Sequence, residues 1–230
     1  MSSYKPSQSG LAPCKRDVID LKSAADALGK TLVMGMELSF ELQAIAQNPK
    51  HPFHANAEEM PLQTLVLLQG MLIAERWLIE FLLGPSLRGD KKRATDICVD
   101  CFNHDWRFPK GPVADELVAR LSPINKLVLH PTWNLVNAAP RKWTLNRIAR
   151  CIEGLDIFAD GLQEKRPEVA KIFKSHVRAA HSVISPGPLS DRFCWFHPGT
   201  RMVPTAVTSP NDIGARHEVR GVQRDGEPTS

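Results

Sequence analysis

The sequence predicts an all-α protein: a four- to five-helix bundle with a disordered N-terminus and a Pro-rich C-terminal tail. Three observations carry this. Apolar residues recur every three or four positions through five separate stretches, which is the period of one helix face. Proline and glycine cut those stretches at Asn48-Pro49, Gly84-Pro85 and Arg166-Pro167, where helices stop or restart. Of the 230 residues, 43% are hydrophobic, enough to bury those faces in one core. The expected division is a disordered N-terminus over 1–13, a helical bundle domain over 14–185 and a mostly disordered tail over 186–230.

A long first helix is expected over about 17–47, with Leu21, Ala25, Leu28, Leu32, Met36 and Phe40 inward. Asn48-Pro49 stops it, and a polar loop follows. Glu58, Glu59 and Pro61 suit the start of a second helix. That helix runs to Leu83 and is apolar nearly all round, so it is placed at the centre. Gly84-Pro85 ends it. The stretch 86–112 reads as a long connection with one short helix. The third helical region, 113–130, carries Leu117, Leu121, Ile124 and Val128 on one face. Pro123 lies inside it, and a proline clashes with the carbonyl four residues back, so a kink or restart is expected at Ser122-Pro123. Ser122 is a ready N-cap for that restart.

A fourth helix is expected to open near Thr144, with Thr144 as cap and Trp143 stapled on Ile148. Its stripe is Leu145, Ile148, Ile152, Leu155, Phe158 and Leu162. Pro167 restarts a fifth helix with Val169, Ile172, Phe173, Val177 and Ala180 inward. Beyond Ser185 the period is lost, and Pro186, Pro188, Pro198, Pro204 and Pro210 punctuate the tail. The Phe193-Cys194-Trp195-Phe196 cluster is too apolar for a solvated tail. Docking on the bundle is favoured over a contact with a partner protein.

The composition excludes some classes and leaves others open. A net charge of +4 permits contact with nucleic acid without arguing for it. The five cysteines are odd in number and mostly isolated, and the first 13 residues do not read as a signal peptide, so a reducing cytoplasmic setting is expected. The most apolar segment holds Glu75, Arg76 and Glu80, which a membrane span rarely carries; it reads as a core helix, and no membrane partner is expected. There is no Gly-rich phosphate loop, nucleophile elbow or paired-carboxylate motif. Acyl-transfer and kinase-type chemistry are therefore not expected.

Four features remain as candidate chemistry. Cys98-x2-Cys101-x2-His104 supplies three of the four ligands that zinc takes, with His51 or His54 as a fourth. The ordinary reading, two thiols beside a surface histidine, is preferred, and no metal or cofactor is expected. His176 and His181 lie five apart, off the i,i+4 spacing of a helical ligand pair, and read as exposed histidines. Glu75 and Arg76 interrupt the central helix, and a charge there must be paired or reach a cleft. Arg76 can pair with Glu80 at i+4, or reach Asn125 or His130 on an adjacent helix. Asn125, Lys126 and His130 share one segment beside the Leu127-Val128-Leu129 run, closed by Pro131. On a straight helix Asn125 and His130 stand about 140° apart, at about 100° per residue. They converge only through a kink or across two copies of the chain. The alternative is structural: His130 caps the helix end and Asn125 bonds a neighbouring helix.

Two segments resemble the HEPN superfamily of small helical bundles, and in particular its bacterial members. One is Leu72-Ile73-Ala74-Glu75-Arg76-Trp77-Leu78-Ile79-Glu80-Phe81-Leu82, similar to that family's central helix. The other is Ile124-Asn125-Lys126-Leu127-Val128-Leu129-His130-Pro131-Thr132-Trp133, followed by Trp143 and the fourth helix. The resemblance covers about 17–163. It implies a metal-independent RNase chemistry, in bacterial defence or stress, that uses an arginine, a polar neighbour and a histidine five residues beyond, often paired across a dimer. By that resemblance His130 takes the histidine position and Lys126 the polar position. Asn125 stands where the arginine belongs and brings no fixed charge to a scissile phosphate, which leaves Lys126 or Arg76 to supply it. A neutral His130 would act as base toward a ribose 2′-hydroxyl. The implied partners are RNA and a second copy of the chain, with catalysis weak or lost. The competing reading is a non-enzymatic module that dimerises and binds a protein partner, through its tail among other surfaces.

Overall fold

The computed structural model describes residues 17–54, 59–84, 97–124, 141–183, 193–196 and 201–203; at 59, 122–123, 141–146, 193–196 and 201–203 the description is of the backbone. The architecture is the all-α bundle that the helical period predicts. Among the described residues, five main helices and one short one build it: α1 (Val18–Gln47), α2 (Leu62–Leu83), the short α3 (Val99–Phe102), α4 (Pro112–Ile124), α5 (Ala149–Leu162) and α6 (Pro167–Val183). A 3-10 turn over Leu145–Ile148 leads into α5.

Each boundary has a local cause. The Asp17 side chain accepts from the Asp20 backbone N–H at 2.7 Å, which satisfies one of the orphan donors of the first turn of α1. At 30 residues, α1 is about 45 Å long at about 1.5 Å per residue. It lies along both α2 and α6, which makes it the spine of the bundle. Helix α2 ends at Gly84, whose φ of 65° falls in the left-handed region that glycine enters without steric penalty. Helix α4 continues through Ser122 and Pro123 to Ile124, so the backbone does not break at the proline; a restart beyond Ile124 falls outside the described residues. The expected Thr144 cap and Trp143 staple rest on side chains outside the described residues too.

The core has an aromatic centre. Phe81 of α2, Phe102 of α3, Phe158 of α5 and Phe173 of α6 are all buried. Phe158 lies 5.2 Å from Phe81, 5.9 Å from Phe102 and 5.4 Å from Phe173 between ring centroids, each edge to face, the arrangement the ring quadrupoles favour. The inward positions expected for the last two helices, Ile148 to Leu162 and Val169 to Ala180, are core or packed against it. Phe40 is the exception among those expected for α1. It is exposed, and Ser39, Leu42 and Ile45 turn inward instead. Over 30 residues, the 3.6-residue period drifts away from a strict every-fourth spacing, and the stripe passes from Met36 to Ser39 rather than to Phe40.

Among the described residues, two small strand pairs decorate the bundle, and both use the tail. β1 (Glu59–Pro61) pairs in parallel with β4 (Arg201–Val203), and β2 (Arg141–Thr144) pairs antiparallel with β3 (Phe193–Phe196). The Phe-Cys-Trp-Phe cluster is thus docked, by backbone pairing with the strand that precedes the 3-10 turn. The rest of the tail and the residues 1–13 lie outside the described residues.

His176 corrects an expectation. It is not a solvated histidine: its side chain is 17% exposed and its Nε2 lies 3.0 Å from Asp26 Oδ1 on α1. Directly beneath it is Gly29, where a Cβ would overlap the His176 ring. Glycine is needed here for the close approach of α1 and α6. Gly29→Ala is expected to cost about 1–2 kcal/mol net, since overpacking costs about 1–3 kcal/mol and alanine returns up to about 1 kcal/mol of helix propensity. Urea unfolding checks this; an unchanged or higher midpoint would show that the histidine moves aside freely.

Candidate functional site

Glu75 is the central charge of the molecule. Helix α2 is apolar on almost every side, and Glu75 is fully buried within it. A carboxylate in that position needs a cation. The 3-10 turn supplies one: Arg147 Nε donates to Glu75 Oε2 at 2.7 Å, across 72 residues of sequence. Helix α4 supplies a second, with Arg120 Nη1 3.8 Å from Glu75 Oε1. Arg120 also donates to the Arg147 backbone carbonyl at 2.6 Å, so it fixes the turn that presents Arg147.

The network continues outward. Arg120 Nη2 donates to Glu116 Oε2 at 3.2 Å. Arg150 grips the same carboxylate with two donors, at 2.8 and 3.1 Å, and reaches Glu153 at 2.7 Å. Among the described residues, three arginines thus face three glutamates, and these six are formally neutral together. They tie α2, α4 and the start of α5 to one another.

Burial raises the proton affinity of Glu75, and the charges of Arg147 and Arg120 oppose that rise without cancelling it. Burial likewise pushes up the thiol of the fully buried Cys151, with the Glu75 charge adding to the effect. The sign of the linkage follows. A carboxyl whose folded pKa lies above its unfolded value contributes stability below the unfolded pKa and loses it as pH rises through the folded one. The stability of the wild type relative to Glu75→Gln is therefore expected to be highest in acid, below the ordinary glutamate range, and to decline as pH rises through and above that range. Denaturant titrations of both proteins from acid to neutral pH check it; a difference that grows with pH would mean that the two arginines outweigh burial.

Arg76, one residue on, turns about 100° away and behaves differently. Its Nε donates to Glu80 on its own helix, and both side chains are partly exposed. Of the two open readings for Arg76, the i,i+4 pair is the one observed. Asn125, Lys126 and His130 lie outside the described residues. The chain leaves the described residues at the buried Ile124, four residues after Arg120, and returns at Arg141, six residues before Arg147. The two arginines that meet Glu75, Arg120 and Arg147, thus flank in sequence the segment that carries Asn125, Lys126 and His130.

Sequence spacing singles out Arg76 and not Arg147, Arg120 or Glu116. A signal was present. A lone glutamate in an otherwise apolar helix requires a buried cation, and Arg147 sits between Leu145 and Ile148 in the cleanest apolar stripe of the chain. The metal reading of Cys98, Cys101 and His104 gains no geometry: His104 is exposed, His54 Nδ1 is 3.0 Å from the Ile45 carbonyl oxygen, and among the described residues no three His, Cys, Asp or Glu side chains are grouped to hold a metal ion. None of the helices, among the described residues, is long and apolar enough to cross a membrane. No protein family, curated protein or solved structure matches this chain.

Proposed function

We propose that this protein is a HEPN-like bundle that acts on or binds RNA, with His130 as the proton-transfer group and Lys126 as the charge beside it. One observation supports the reading: segment 125–140 is flanked in sequence by Arg120 and Arg147, the two arginines that meet the buried Glu75. A segment whose work is chemical needs rigid supports, and a buried, hydrogen-bonded ion network is such a support. Asn125, in place of the family's arginine, leaves transition-state charge to Lys126, and activity is weak by comparison with arginine-bearing members. A cytoplasmic setting and a role in bacterial defence or stress belong to the same proposal, as does a homodimer that brings two copies of the segment together.

The test is cleavage of single-stranded RNA in the presence of a chelator. Wild-type protein is expected to cleave slowly, and His130→Ala to abolish cleavage while the circular dichroism stays unchanged. Equal cleavage by the variant ends the nuclease reading.

A second reading has its own support. Leu62, Val66 and Trp77 of α2 are exposed, Trp77 at 55%. At spacings of 4 and 11 they share one helix face, which fits a non-enzymatic module that dimerises or takes a protein partner. Wild-type protein that forms a dimer by light scattering and leaves RNA intact is the outcome that selects it.

A further inference from the structure

The Cys98-x2-Cys101 pair has no place in the ion cluster or in the RNA reading, yet its geometry is specific. Cys98 precedes α3 in extended backbone, φ −143° and ψ 166°, and Cys101 lies one turn on. The Cys101 N–H donates to the Cys98 carbonyl at 2.9 Å, which closes that turn. The two sulfurs are 3.8 Å apart, in van der Waals contact, and both residues are buried, at 3% and 7% exposure. No third ligand side chain among the described residues completes a metal site with them.

We infer that Cys98 and Cys101 form a reversible dithiol–disulfide pair, oxidised by a small peroxide. The sulfurs need to close by only about 1.8 Å to reach the roughly 2.05 Å of a disulfide. Cys98 stands outside the helix, so rotation of its side chain brings its sulfur over Cys101 without unwinding α3. The thiolate of Cys101, the less buried of the two, attacks one peroxide oxygen and breaks the O–O bond. It becomes a sulfenic acid, and the departing hydroxide takes up the thiol proton as water. The Cys98 thiolate then attacks that sulfenic sulfur, and the second hydroxide leaves and takes up the remaining proton. In sum, two thiols and one hydrogen peroxide give one disulfide and two waters; sulfur loses the two electrons that peroxide gains. A dithiol reductant reverses it.

Place gives the pair leverage. The next residue, Phe102, is in the aromatic core, and its carbonyl accepts from Arg166 Nε at 2.7 Å. The state of the pair is thus set at the turn that ties α3 to the α5–α6 corner. Cys151 provides an internal comparison. It is fully buried and reduced, and burial holds its thiol protonated.

The experiment treats the full chain with hydrogen peroxide, quenches it in acid, alkylates it in denaturant and reads each cysteine peptide by mass. The peptide spanning both cysteines is expected to lose its two alkylation sites and appear lighter by two hydrogens. Dithiothreitol should restore both sites, and Cys151 should alkylate fully throughout. In Cys98→Ser, Cys101 should stop at the sulfenic acid, trapped by dimedone, with no disulfide formed. The inference is overturned if both thiols stay alkylatable while Met residues oxidise. It is equally overturned if each thiol gains two oxygens without linking, or if either links instead to Cys14 or Cys194.

Discussion

Replacing Glu75 by alanine is expected to lower the unfolding free energy by about 3–5 kcal/mol, the usual cost of removing one partner of a buried ion pair. At about 2–4 °C per kcal/mol for a chain of this size, the midpoint should fall by roughly 6–20 °C. The cause is Arg147. Its side chain is 11% exposed, so losing Glu75 takes a carboxylate at 2.7 Å away from a largely desolvated guanidinium. Arg120 keeps Glu116 as a partner. Replacing both members, Glu75→Met with Arg147→Met, should recover most of the loss, since similar apolar volume substitutes for a buried pair at little or no cost. Calorimetry and denaturant unfolding of the two single variants and the double variant close the cycle. If Glu75→Ala shifts stability by less than about 1 kcal/mol, the pair does not organise the bundle and the proposed support of segment 125–140 loses its physical basis.

The second large effect is on activity. His130→Ala should reduce metal-independent RNA cleavage by about 100- to 10,000-fold, the range in which a positioned acid–base group contributes. With slow wild-type turnover, such a loss reads as no detectable product. The opposite change is as informative. Asn125→Arg restores a fixed planar charge where the HEPN resemblance places one, and cleavage should rise by about 10- to 100-fold, below the roughly 100- to 1,000-fold contribution of a well-placed transition-state donor. Lys126→Ala should lower cleavage further. Arg76→Ala should matter little, because Arg76 is engaged with Glu80 on its own helix. A wild-type enzyme that gains nothing from Asn125→Arg, with His130→Ala equally active, removes both the residue assignment and the chemistry.

The helices were legible because their causes are local. Asp17 starts α1, Gly84 stops α2 and Pro167 opens α6, and each acts within a few residues of where it stands. The apolar stripes of α5 and α6 lie as their spacing predicts, because 14 and 17 residues are too few for the helical period to drift. Over the longer α1 it does drift, and Phe40 exchanges places with Ser39. Glu75 was legible as a problem, a charge that needs a partner, but its solution was not.

Periodicity and punctuation by themselves thus determined the all-α class, the order of the helices and most of the core. Only the tertiary structure decided what is non-local. It brought Arg147 to Glu75 and His176 over Gly29 to Asp26, folded 193–196 and 201–203 back as strands, and set the sulfurs of Cys98 and Cys101 in contact. The physical reason is the range of the interactions. Helix period and capping depend on neighbours within four residues. Buried charges and strand pairs are satisfied by whatever the packing brings near, and no sequence spacing encodes those partners.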